Sequence, residues 1–290
     1  VSEDGELRDP FKKLTTVFQM SEEMFFLHYG KDGCNRHVLI DECRELFGEI
    51  YEQIPELPFC NIWTAMQLSS RLPKGALFHM GVSNTRRCWN MFQLPESVES
   101  ACNVGCCGID GCVSTLVGAS LVNPDRLCYV VVGDLTFFYD LNSLGNHHIG
   151  TNLRVMLVNN GRGTEFRLGI HHCNVFGDDA DKYMAAAGHF GNKSPLLVKH
   201  YAEDLGFHYL SATTKEEFMT ALSNFTNPQL SDHSMILEVF TDSKDESEAL
   251  YLMSHIQSDA KGMVRSKLKD AVRNVAGEKG INAIKKILKK

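Results

Sequence analysis

Five short apolar runs limit what this chain can fold into: 76–81 (ALFHMG), 128–133 (CYVVVG), 153–158 (LRVMLV), 206–210 and 235–240 (MILEVF). Their apolar positions are near-continuous rather than alternating, the pattern of strands buried on both faces. Amphipathic stretches at 36–53, 60–71, 109–121, 135–146, 196–204, 214–223 and 246–257 separate or flank them and are expected to be helices. Thr214 followed by Glu217 reads as a capping box for one of these. Strand–helix alternation predicts an α/β three-layer sandwich, with a central, mostly parallel sheet and helices on both faces. Ligands of such sheets bind outside the carboxyl ends of the strands. The residues just after each apolar run are therefore the informative ones.

Composition excludes several alternatives. No run of about 18 apolar residues occurs, so no membrane span is expected. Val1 to Lys13 is charged and lacks an apolar core, so it is not read as a signal peptide. The chain begins with Val rather than Met, which fits a trimmed chain or a fragment. Ten cysteines are present, and Cys43, Cys60, Cys102 and Cys128 sit in apolar contexts where free thiols behave as small hydrophobes. A reducing cytoplasm is the expected location. No pair has C-x-x-C spacing, which speaks against structural zinc. Residues 261–290 hold ten Lys/Arg against Asp270 and Glu278, a net of +8 in a chain of net charge -7. Val264, Leu268, Val272 and Val275, then Ile281, Ile284 and Leu288, recur at helical spacing, so this basic stretch is expected to be a helical tail docking on protein rather than on nucleic acid or membrane. The expected organisation is 1–34 as the end of a preceding domain or a linker, 35–260 as the main domain, and 261–290 as the tail.

After the 128–133 run comes Gly133-Asp134-Leu135-Thr136, and after the 153–158 run Asn159-Asn160-Gly161-Arg162-Gly163. An acid that opens a helix at a strand tip, beside an amide oxygen on a neighbouring tip, suits Mg²⁺, a hard cation that takes few protein ligands and binds through phosphates. The glycines free the backbone to bring in a carbonyl as a third ligand.

Gly133-Asp134 followed by Asn159-Asn160 resembles the GDG…NN signature of thiamine diphosphate (ThDP) enzymes. The resemblance covers about residues 35–240. It implies that Asp134, Asn160 and the carbonyl of Arg162 hold Mg²⁺ on the cofactor diphosphate. Leu135 stands where the general pattern has Gly; this variant, with Tyr139-Asp140-Leu141-Asn142 after it, is similar to the SEPHCHC synthases of menaquinone biosynthesis, and the chain also resembles acetolactate synthase-like carboligases. The same resemblance places Ser83, Asn84 and Arg87 against the diphosphate. It makes Ile109, in Gly108-Ile109-Asp110-Gly111, the apolar wedge under the cofactor, with Asp110 beside it and the Cys107 carbonyl accepting from the aminopyrimidine. Phe166 falls at a cofactor-side aromatic position. Two departures stand out. Val104 and Gly105 occupy the place of an Arg in the SEPHCHC synthase pattern, and the segment 184–206 looks longer than in that enzyme.

What the resemblance implies is a decarboxylase or carboligase that removes CO₂ from a small 2-oxoacid and passes the remaining fragment to a proton or an acceptor. The activating Glu belongs to a pyrimidine-binding domain with no counterpart in these residues. A partner domain or subunit is thus expected, with a homodimer or homotetramer in the full enzyme. A non-catalytic regulatory subunit that keeps the fold is the alternative. A dinucleotide-binding dehydrogenase is disfavoured, since no G-x-G-x-x-G follows an early strand. Several residues carry plainer readings alongside: Asp134 as a helix cap, Ile109 as core, Cys106 and Cys107 as packing thiols, Arg87 as one side of a surface ion pair, Glu165 as a solvated carboxylate, His147 and His148 as helix-end cations, and His171-His172-Cys173 as loop or packing.

Overall fold

The computed structural model describes residues 1–30, 38–105, 107–168, 171–180 and 194–256. The expected basic tail, Cys106, residues 184–193 and the end of the 246–257 helix lie outside the described residues. The chain forms two compact units, Val1–Gln53 and Ile54–Lys290. The first holds α1 (Glu22–Tyr29) and α2 (Val38–Glu52); Ser21 caps α1 by accepting from the Met24 N–H.

The second unit is an α/β three-layer sandwich. Its six strands are β1 (Leu77–Met80), β2 (Glu99–Cys102), β3 (Cys128–Gly133), β4 (Leu153–Asn159), β5 (His208–Ala212) and β6 (Met235–Phe240). They pair in the order β2-β1-β3-β4-β6-β5, and every pairing is parallel. The helices are α3 (Asn61–Leu68), α4 (Asn84–Trp89), α5 (Cys112–Val122), α6 (Asp134–Asp140), α7 (Leu197–Asp204), α8 (Lys215–Phe225) and α9 (Ser243–Ser254).

Strand periodicity divides the core. Cys128, Val130 and Val132 of β3, Leu153, Val155 and Leu157 of β4 and Ile236 of β6 share one sheet face, where α5 (Val113, Leu116), α6 (Phe137) and α7 (Val198, Ala202) cover them. On the other face Phe78 meets Trp89 of α4, Trp63 of α3 meets Phe218 of α8, and the Tyr129 hydroxyl donates to the Phe225 carbonyl. The two central strands β3 and β4 are buried almost throughout, hence their unbroken apolar sequences.

Chain direction places the site. β1 is flanked by β2 on one side and β3 on the other. The chain leaves β1 through α4 on one face and leaves β3 through α6 on the opposite face. A crevice opens between such diverging connections at the strands' carboxyl ends. Four sequence-predicted segments lie at that end: Gly81–Arg87 after β1, Asn103–Gly111 after β2, Gly133–Leu135 after β3 and Asn159–Phe166 after β4.

Several elements differ from the sequence expectation. β2 has no apolar signature: its residues ESAC are mostly exposed on the sheet edge. The 60–71 and 135–146 stretches are each an α-helix finished by a 3₁₀ turn, Ser69–Arg71 and Leu141–Gly145. The last described helix begins at Ser243, because Asp242 caps it by accepting from the Lys244 N–H.

Candidate cofactor and cation site at the strand tips

Parallel register sets Asp134 beside the Asn159-Asn160 turn. Gly133 pairs with Val158, so Asp134 lies level with Asn159, and neighbouring strands run about 4.8 Å apart. Asp134 is 2% exposed and opens α6, with one carboxylate oxygen accepting from the Leu135 N–H at 2.7 Å. The N-cap position of α6 is Gly133, and no side chain caps this helix. A Cβ on Gly133 would meet nothing within 4 Å, so open space adjoins the backbone where β3 ends.

The two asparagines divide their work. Asn159 is 4% exposed and fully engaged. Its side-chain NH₂ donates to Glu238 at 2.7 Å, its side-chain oxygen accepts from the Gly161 N–H at 3.3 Å, and its carbonyl accepts from the Thr241 N–H at 3.1 Å. Gly161 sits at φ +80, a conformation that glycine adopts without strain. Asn160, by contrast, turns its side-chain oxygen into a buried position where it has no hydrogen-bond partner. A buried oxygen left unmatched costs about 1–3 kcal/mol, a cost that an electropositive group placed there would offset. The chemistry of the set fits Mg²⁺, with one carboxylate and one amide oxygen on adjacent tips and the Arg162 carbonyl on the same turn. Among the described residues no three His, Cys, Asp or Glu side chains converge as a transition-metal site.

The β1 segment contributes backbone geometry. Ser83 adopts φ 60 and ψ −119, and its side chain makes no cap hydrogen bond although it precedes α4. A non-glycine residue in that region costs on the order of 1–3 kcal/mol, and such strain concentrates at binding sites. Gly81 lies tight against β3: an added Cβ would stand 3.2 Å from the Val131 carbonyl oxygen. Asn84, half-buried, accepts from the Cys88 thiol at 3.8 Å. Arg87 reaches across to Glu165 in a two-pronged ion pair of 2.7 and 2.9 Å, both side chains partly buried. That carboxylate is the main reason the Arg87 guanidinium holds its proton more tightly than usual. The pair ties the segment after β1 to the 3₁₀ turn Thr164–Arg167 after β4. Phe166, in that turn, is half-buried and meets His171 edge-on at 5.2 Å. His171 in turn accepts from the Cys173 N–H at 3.1 Å.

The segment after β2 is a pinned loop. Cys107 is exposed at φ 52, and its thiol donates to the Val104 carbonyl at 3.2 Å. A Cβ on Gly108 would stand 2.6 Å from an Asp110 carboxylate oxygen, so a side chain there would displace that exposed carboxylate. Ile109 is half-buried and Asp110 exposed. Gly111, at φ +78, enters α5, and Asn103 clamps the loop's two ends by donating to the Gly111 carbonyl and to Thr115 at 3.3 and 3.1 Å. Asp140 of the Tyr139–Asn142 motif accepts from the Ser114 N–H and hydroxyl at 2.7 and 3.1 Å, fixing the first turn of α5 to the end of α6.

Two buried acids beneath this end are invisible to motif reading. Glu238 of β6 is 1% exposed and Glu246 of α9 likewise. Burial raises the pKa of both, and the negative charge of Asp134 adds to each. Glu246 is pushed up to about 7; one of its oxygens accepts from the Asn61 N–H at 3.0 Å and from Thr241 at 2.8 Å, and the other has no partner.

No protein-family model matches the chain. It is 32% identical over 256 residues to the 2-succinyl-5-enolpyruvyl-6-hydroxy-3-cyclohexene-1-carboxylate synthase of Bacteroides fragilis, which covers 86% of this chain and 43% of that enzyme. The chain is a relative of these synthases. The synthase of Phocaeicola vulgatus is 31% identical over 258 residues, with the same shares of 86% and 43%. That of Christiangramia forsetii is 33% identical over 199 residues, 69% of this chain and 33% of the enzyme. The chain thus spans at most 43% of the length of these curated relatives. No helix among the described residues is long and apolar enough to cross a membrane.

Proposed function

We propose that this chain is the diphosphate-binding portion of a ThDP- and Mg²⁺-dependent enzyme that decarboxylates a 2-oxoacid and passes the remaining fragment to an acceptor or a proton. The observation that carries the reading is the buried, unmatched side-chain oxygen of Asn160 on the strand tip next to Asp134. Asp134, Asn160 and the Arg162 carbonyl would hold the cation, whose charge offsets both the Asp134 carboxylate and a diphosphate. Gly133 leaves room for phosphate oxygens to approach the backbone. Ser83, Asn84 and Arg87 border the same crevice, and Glu165 orients the Arg87 guanidinium. Leu135 and Phe166 would supply apolar surface to the cofactor. Ile109, on a loop held by Asn103, would support the cofactor's bend, with the Cys107 carbonyl and Asp110 beside it.

Bound ThDP supplies a nucleophilic carbon and an electron sink for breaking or making a bond beside a carbonyl. The residues here bind and orient it; the acid that activates it belongs to a pyrimidine-binding domain or subunit, so this portion alone is inactive. The relatives' name favours carbon–carbon bond formation over simple decarboxylation. Val104 and Gly105, in place of a cationic side chain, weigh against the same cyclic acceptor acid. Isothermal titration of ThDP with Mg²⁺ into the full-length protein tests the reading. Saturable, Mg²⁺-dependent binding that is lost in Asp134→Ala supports it; binding that ignores Mg²⁺ or survives that substitution refutes it.

A further inference from the structure

Glu238 is an unlikely residue for its place. It stands in the middle of a six-residue strand, MILEVF, paired with Leu157 on one side and Ser211 on the other, and it is 1% exposed. Its hydrogen-bond partners are neutral: one carboxylate oxygen accepts from the Asn159 NH₂ and the other from the Tyr209 hydroxyl, each at 2.7 Å. A carboxylate buried without a cation is costly, and stability alone favours an apolar side chain at such a position. What it contributes is orientation. Because a carboxylate only accepts, Asn159 must present its NH₂ to Glu238, and its oxygen is left to take the Gly161 N–H. Tyr209, on the neighbouring strand β5, anchors the carboxylate in turn. Tyr209, Glu238 and Asn159 form a chain across three adjacent strands that ends at the turn carrying Asn160.

We infer that Glu238, braced by Tyr209, is a positioning residue for the cation site: it locks Asn159, and through Asn159 the turn that aims the Asn160 oxygen. The inference rests on the cofactor reading above. Groups that hold a metal ligand in place commonly matter by 10- to 100-fold in metal affinity. Mg²⁺ demands near-octahedral geometry, whereas Ca²⁺ tolerates irregular sites.

The test compares Glu238→Gln, Tyr209→Phe and the control Tyr129→Phe in the full-length protein. The control removes a buried hydroxyl bond to the Phe225 carbonyl on the opposite sheet face. Mg²⁺ and Ca²⁺ affinities are measured by titration with saturating ThDP, alongside thermal unfolding of each metal-free protein. Glu238→Gln and Tyr209→Phe are expected to weaken Mg²⁺ by about 10-fold or more and Ca²⁺ by less, while Tyr129→Phe keeps both affinities. Wild-type Mg²⁺ affinity in the two variants, or an equal loss in the control, overturns the positioning role and leaves the cofactor reading standing. A wild-type protein that binds no Mg²⁺ with ThDP overturns both.

Discussion

Replacing Glu246 by Gln isolates the energetic cost of a buried acid beneath the strand tips. Burial is the main cause of its raised pKa, with the charges of Asp245 and Asp134 adding to it, against hydrogen bonds from Thr241 and the Asn61 N–H that lower it. The folded-state value is about 7 against an ordinary value of 4.5. The folded protein therefore keeps a proton over that interval that the unfolded chain has released. Stability from this residue is complete below pH 4.5 and declines as pH rises towards about 7. At about 1.4 kcal/mol per pH unit, the decline amounts to about 3 kcal/mol. Gln keeps an oxygen for Asn61 and Thr241 but cannot ionise; its NH₂ faces the position where the second carboxylate oxygen has no partner, a fixed cost of about 1–3 kcal/mol that does not vary with pH. The slope rather than the offset is the readout. Urea unfolding followed by tryptophan fluorescence is well placed to report it, since the Trp89 indole donates to Asn61, whose backbone N–H bonds Glu246. Between pH 5 and 8 the variant should gain on the wild type by about 2–3 kcal/mol. A stability difference that stays constant across this range would show that Glu246 does not change its proton occupancy on folding.

Three further outcomes follow from the geometry. Arg87→Ala leaves Glu165 partly buried without its cation and should destabilise by about 1–3 kcal/mol in chemical unfolding, with Arg87→Lys recovering only part because it cannot engage both oxygens. Gly111→Ala forces a side chain into φ +78 and should cost about 1–2 kcal/mol, with faster amide exchange through 107–115; unchanged exchange there would refute the clamp formed by Asn103. Asp140→Ala removes the acceptor for the Ser114 N–H and should lower stability by about 0.5–2 kcal/mol, measured by thermal unfolding.

Much of the fold was legible because the central strands are buried on both faces. CYVVVG and LRVMLV admit few other readings, and their following glycine, aspartate and asparagines fall at the one end of a parallel sheet where ligands bind. The edge strand β2 was not legible: Glu99 and Ser100 face solvent, so neither face imposes a pattern. The short helix α4 was not among the helices expected from the sequence pattern, and Ser83 before it makes no cap hydrogen bond. Within the site, sequence order distinguished Asp134 and Asn160 but not what holds them. Asn159 and Asn160 are identical in type; the bonds that Asn159 gives to Glu238 and takes from the Gly161 N–H separate scaffold from open oxygen. Glu238 itself passes as one polar letter in an apolar strand, since its partners Asn159 and Tyr209 sit on β4 and β5, far apart in sequence. The Arg87–Glu165 pair was hidden for the same reason: Arg87 was read first as a diphosphate contact and Glu165 as a solvated carboxylate, and nothing in the sequence joins them.

An anomalous-diffraction map of the full-length protein crystallised with ThDP and Mn²⁺, an oxygen-seeking substitute for Mg²⁺, measures the central point directly. A single peak within about 2.5 Å of both an Asp134 carboxylate oxygen and the Asn160 side-chain oxygen is the expected result. A cation bound elsewhere, or one held by Asp134 while Asn160 turns away, would contradict the account.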